Sequence, residues 1–103
     1  MIRKATLFVA AFFLFGSAFA KEKPQRIVSL SLCTDQIVLA LVEPSQIAAL
    51  SHLAPDPVYS YLAEEAQGLP VHYGLAEEIV PLKPDVILGL TYSLGNTQQM
   101  LRQ

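Results

Sequence analysis

Short apolar runs, each followed by helix-forming signals, constrain this chain more than any other feature. They fall at residues 27–30, 47–50 and 86–90, with Val71-His72-Tyr73 a minimal extended segment before the last. Such short Ile-, Val- and Leu-rich runs suit strands that are buried on both faces. The first meets a small polar loop, and a helix is predicted directly afterwards over about 34–42. Pro44 stops that helix, because the residue before a proline is pushed out of the helical region. Asp56-Pro57 reads as a second helix start, with Asp as N-cap and Pro at the first helical position. This helix would carry Val58, Tyr61, Leu62 and Ala66 on one face, and Gly68 is placed to end it. A short helical stretch follows at 76–82, and Asn96, with Gln99 three residues on, caps a last helix. The resulting βαβαβαβ order predicts the α/β fold class, a mostly parallel sheet with flanking helices. No internal repeat, low-complexity tract or linker divides residues 21–103, so they form one domain or part of one.

The first twenty residues read as an export signal. Arg3 and Lys4 form a basic start, residues 5–15 an apolar core, and Ala18-Phe19-Ala20 a small-x-small cleavage site. A membrane span needs about 20 apolar residues, whereas this run ends in small residues and gives way to Lys21-Glu22-Lys23-Pro24. The only cysteine, Cys33, lies beyond the place where a lipid anchor would require it. The expectation is therefore residues 1–20 as a cleaved signal peptide and a soluble exported product. Without Arg3 and Lys4, five basic and nine acidic residues remain, a net charge near −4. Lacking any Lys/Arg cluster, such a product is not expected to bind nucleic acid or an anionic membrane surface. One cysteine makes no internal disulfide. The last residues, Met100-Leu101-Arg102-Gln103, carry no helix stop signal, so the chain reads as the front portion of a longer protein.

In open α/β sheets ligands bind beyond the carboxyl ends of the strands. His52, Tyr73 and Tyr92 each follow an apolar run and should sit at that edge, with Gly74 beside Tyr73. Cys33 and Thr34 should lie where the first helix opens. An aromatic and imidazole rim suits a flat, partly apolar ligand held by stacking and hydrogen bonds. His72 should point to the opposite sheet face from its strand neighbours. The histidines and Tyr73 form no recognised zinc pattern, so no protein-bound metal is expected, although His52 and Tyr73 are of residue types that coordinate haem iron. Glu64-Glu65 reads as an ordinary exposed helix face.

Two segments together carry a resemblance. Arg26-Ile-Val-Ser-Leu-Ser followed by a short helix, and Leu-Ala-Glu-Glu-Ile-Val-Pro-Leu-Lys-Pro-Asp-Val-Ile-Leu at 75–88, resemble periplasmic vitamin B12 and iron-siderophore binding proteins. These are the solute-binding subunits of ABC importers, built as two α/β lobes joined by one long helix. The similarity runs over residues 26–103, which would form most of a Rossmann-like N-terminal lobe. It implies a monomeric, non-catalytic protein that captures a bulky metal chelate of the cobalamin, haem or ferric-siderophore type between lobes. The cobalt or iron would belong to that ligand, with no cofactor held by the protein itself. Cys33, Thr34, His52, Tyr73, Gly74 and Tyr92 become the candidate ligand contacts. The resemblance also places Glu77 where the family's carboxylate meets arginines of the membrane permease. The family often reads Ser-Pro-Ser-x-Thr-Glu where this chain has Ser31-Leu32-Cys33-Thr34-Asp35-Gln36. Cys33 thus replaces a capping Ser, which leaves Thr34 to take over the cap and Gln36 to complete a capping box.

Two other readings compete. In the first, Cys33 is the nucleophile of an exported thiol-dependent enzyme, with His52 and Asp35 as base and orienting group. No Gly-x-Ser-x-Gly or other catalytic signature accompanies it, and a free Cys is more often simply a packed residue. In the second, the chain is an extracytoplasmic sensor domain, which a transmembrane segment downstream would favour.

Overall fold

A computed structural model describes residues 23–90 and 95–102. The expected signal peptide and Tyr92 lie outside the described residues. Strand β1 (Ile27–Ser29) leads into helix α1 (Leu32–Leu41), and a single 3-10 turn at Pro44–Gln46 precedes strand β2 (Ile47–Ser51). Strand β3 (Val71–His72), helix α3 (Ala76–Ile79), a 3-10 turn at Val80–Leu82, strand β4 (Val86–Leu88) and helix α4 (Gly95–Leu101) complete the order, with a four-residue helix α2 (Ala63–Ala66) between β2 and β3.

The strands form one sheet in the order β3-β2-β1-β4, and every pairing is parallel. This is the α/β architecture expected from the alternating runs. Its side chains pack into two apolar groups. Ile27, Ile47 and Leu50 pack with Val38 of α1 and Ala66 of α2, whereas Val28, Leu30, Ala48 and Ala49 pack with Ile79 of α3 and Leu101 of α4. Helices therefore cover both faces, which is why the two central strands are apolar almost without interruption. The chain steps outward from β1 to β3 and then returns to the far side of β1 for β4.

Three elements differ from expectation. Helix α1 begins at Leu32, and its N-cap is Ser31 rather than Thr34. The Ser31 hydroxyl accepts the Thr34 N–H at 3.2 Å, and the Thr34 hydroxyl accepts the Ser31 N–H at 3.1 Å. Thr34 thus fills the third helical position of a capping box, and Cys33 lies exposed inside the first turn. Gln36 has no part in that cap. It reaches across to the loop before α2, donating to Ser60 Oγ at 2.9 Å and accepting the Leu62 N–H at 2.9 Å.

That second bond explains why no long helix runs from Asp56. The Asp56 carboxylate does accept the Val58 N–H, and its carbonyl accepts the N–H of Ser60. In a continuing helix the Leu62 N–H would bond to the carbonyl of Val58, but Gln36 takes it instead. Val58 is 80% exposed and Tyr61 93% exposed, while Leu62 is half-buried and Ala66 lies in the core, so only the second half of the anticipated face packs, and only α2 is helical. Gly68 closes this region with φ +80, a left-handed conformation that glycine adopts without a Cβ clash. Asn96 is the second residue of α4, inside the helix rather than before it.

At the amino edge of the sheet, the Asp85 carboxylate accepts the backbone N–H groups of Gln25 at 2.8 Å and Arg26 at 3.0 Å. Those two bonds, in that order, hold its carboxyl below the ordinary carboxylate range, with a smaller contribution from the Arg26 charge.

Candidate functional site

At the opposite, carboxyl edge lies a hollow of about 190 Å³. Three successive strand ends build it. Leu30, Ser31 and Leu32 come from the β1–α1 junction, Ser51, His52 and Leu53 from the end of β2, and His72, Tyr73 and Gly74 from the end of β3. The β2–β3 ladder continues into the site, because the His52 N–H donates to the His72 carbonyl at 3.0 Å. That pairing brings two exposed rings together: His52 and Tyr73 stack with centroids 5.0 Å apart and planes 20° from parallel. An offset, nearly parallel ring pair of this kind offers a flat, partly apolar surface with polar edges.

Below the rings the polar groups are fixed. Asp35, wholly buried on α1, accepts the Ser51 N–H at 3.1 Å and the Ser51 hydroxyl at 2.5 Å. Thr34 is also buried, its hydroxyl 2.6 Å from Ser29 Oγ and 3.0 Å from Ser31 Oγ. His72 is 2% exposed. Its Nε2 lies 2.6 Å from the Ser29 carbonyl, and its Nδ1 accepts the Gly74 N–H at 3.0 Å. Gly74 has φ +88, and its carbonyl accepts the Thr97 hydroxyl at 2.6 Å.

The fold therefore gathers His52, Tyr73 and Gly74 from two different strand ends into one hollow. Thr34 sits beneath it, within the helix cap, while Cys33 is exposed and outside the lining. Asp35, His52 and Cys33 make no common hydrogen-bonded group, since both Asp35 oxygens face Ser51 and the His52 ring faces Tyr73. Among the described residues no group of three His, Cys, Asp or Glu side chains converges as a metal site. Glu77 is exposed at the start of α3. Its neighbour Glu78 turns inward, and its Oε2 accepts the N–H groups of Tyr73 at 2.8 Å and Leu75 at 3.2 Å.

No protein-family model, curated protein or solved structure matches the chain.

Sequence reasoning did not place His72, Ser31 and Ser51 in the site. The strand alternation held the signal for His72: its neighbours Val71 and Tyr73 are exposed, so the residue between them turns inward. Ser31 and Ser51 follow strand residues at the same edge as His52 and could have been assigned by the same rule.

Proposed function

We propose that this chain is the front lobe of an exported solute-binding protein for an ABC importer. It would capture a bulky chelate of the cobalamin, haem or ferric-siderophore type. The observation that carries this reading is the hollow at the carboxyl ends of three parallel strands, rimmed by the His52–Tyr73 ring pair. That is where α/β sheets bind ligands, and a flat, apolar rim with few polar groups suits a macrocyclic or aryl-bearing chelate. The resemblance of residues 26–103 to the vitamin B12 and iron-siderophore binding proteins points to the same class.

In this reading the hollow is one wall of a cleft, and a second lobe downstream supplies the other. Ligand capture would draw the lobes modestly together. Glu77 would then meet basic residues of the permease, its carboxylate orienting the encounter and raising its rate. Glu77 is suited to that role because its neighbour Glu78 is already bonded to the Tyr73–Leu75 turn. Residues 27–82 contain no Lys or Arg, so no cation within that stretch competes for Glu77.

Titrating the full-length gene product with cobalamin, haemin and ferric siderophores, followed by tyrosine fluorescence, tests the proposal. Saturable quenching at micromolar concentration by one of the three is expected, weakened at least about tenfold, or about 1.4 kcal/mol, in Tyr73→Ala. Absence of saturable binding by all three would remove the transport reading.

A further inference from the structure

The floor of the hollow is a histidine with both ring nitrogens engaged. A carbonyl only accepts and a backbone N–H only donates. His72 Nε2 at the Ser29 carbonyl must therefore carry the proton, and Nδ1 at the Gly74 N–H must carry the lone pair. Only the neutral imidazole, in this one tautomer, makes both bonds. An imidazolium would set an Nδ1–H against the Gly74 N–H, and the ring is too buried to turn that proton toward water.

We propose that His72 is an acid-sensitive latch on the ligand wall. When neutral it holds the Tyr73–Gly74 turn against the end of β1, and when protonated it releases that turn. Several contacts of the wall converge on that turn. Gly74 sits at a left-handed φ of +88 that its missing Cβ permits, Tyr73 before it carries the stack with His52, and its carbonyl holds Thr97 of α4. Releasing the Gly74 N–H therefore loosens the ring pair and the α4 contact together. Taking up a second ring proton would therefore spoil the wall and favour ligand release.

Other titratable groups meet the turn from each packed element. His52, on the β2 end, is exposed and touches the Tyr73 ring, not the Gly74 N–H. Asp35 of α1 reaches this edge through Ser51, the strand partner of His72, and is spent on that serine. Glu78 of α3 holds the turn from the other side through the Tyr73 and Leu75 N–H groups. The latch is thus separable from its neighbours by substitution.

This inference rests on the hollow being the ligand wall, but its test needs no ligand. Hydrogen-exchange protection of the Gly74 amide is followed by NMR in the full chain from pH 8 to pH 5, with Leu50 as internal reference. Ring nitrogen shifts of His72 report its tautomer in the same samples. The latch predicts a proton on Nε2 alone at pH 8. It also predicts a fall of about tenfold or more in Gly74 protection relative to Leu50 as the second ring proton is taken up. The fall should persist in His52→Gln. In His72→Gln, which lacks the Nδ1 acceptor, Gly74 should be unprotected throughout. A neutral His72 ring with protected Gly74 down to pH 5 would overturn the latch, as would a fall that survives in His72→Gln. Either result leaves the binding proposal standing, and a failed ligand titration leaves the latch measurable.

Discussion

Asp85 and Asp35 are both carboxylates bonded to backbone N–H groups, yet they stand at opposite edges of the sheet and in opposite surroundings. Asp85 is exposed and ties the chain entering β1 to the chain entering β4. Its carboxyl is held below the ordinary range in the folded state, so the folded protein binds fewer protons there than the unfolded chain. The stability it contributes is present above the unfolded carboxylate range and is lost as pH falls through the lowered folded value. Thermal melts at a series of pH values should show Asp85→Asn less stable than the parent at neutral pH. The gap should close below about pH 4. A gap that persisted at lower pH would mean that the clamp does not act through its charge. Asp35, by contrast, is sealed from solvent against Ser51. Its position after Thr34 gave no sign of that partner, because a contact sixteen residues away is invisible to local pattern. For the same reason Cys33 drew attention as a capping position when Ser31, two residues earlier, already had the extended backbone and the partner that a cap requires.

At the level of elements, strands were easier to read than helices. Strands β1, β2 and β4 each coincide with an apolar run, as expected where helices cover both faces of the sheet, and the strands' buried polar residues are confined to the carboxyl ends of β1, β2 and β3. Helix boundaries depended on which side chain took which N–H. Ser31, not Thr34, opens α1, and Gln36 diverts the Leu62 N–H so that the helix expected from Asp56 is reduced to a turn and α2. The cap can be tested directly. Ser31→Ala should cost about 1 kcal/mol of stability in urea unfolding, the ordinary worth of a capping hydroxyl. Cys33→Ala, at an exposed site within the first turn, should change stability by less than about 0.5 kcal/mol. Equal losses in the two variants would contradict the assignment of the cap.

For the whole molecule, parallel pairing is what turns separate sequence segments into one site. Because β1, β2 and β3 all run the same way, the residues that follow each of them arrive at one edge. His52 and Tyr73 could be placed there from sequence by that rule alone. Their stacking, and the buried His72 beneath them, required the register that pairs Ser51 with His72. The charged groups follow the same polarity. Arg26 and Lys83 lie towards the amino edge, while the described residues between them supply acidic side chains and no Lys or Arg. The site edge thus has no Lys or Arg from this stretch, a setting in which stacking and backbone polarity, rather than ion pairing to such a side chain, would hold a ligand. The most direct measurement is a backbone-amide NMR titration of the full-length product with whichever chelate quenches its fluorescence. The account predicts that the largest shifts fall at Ser31, Ser51, His52, Tyr73 and Gly74. Shifts centred instead on Tyr61 and Glu65, or on Gly89 and Arg102, would contradict it.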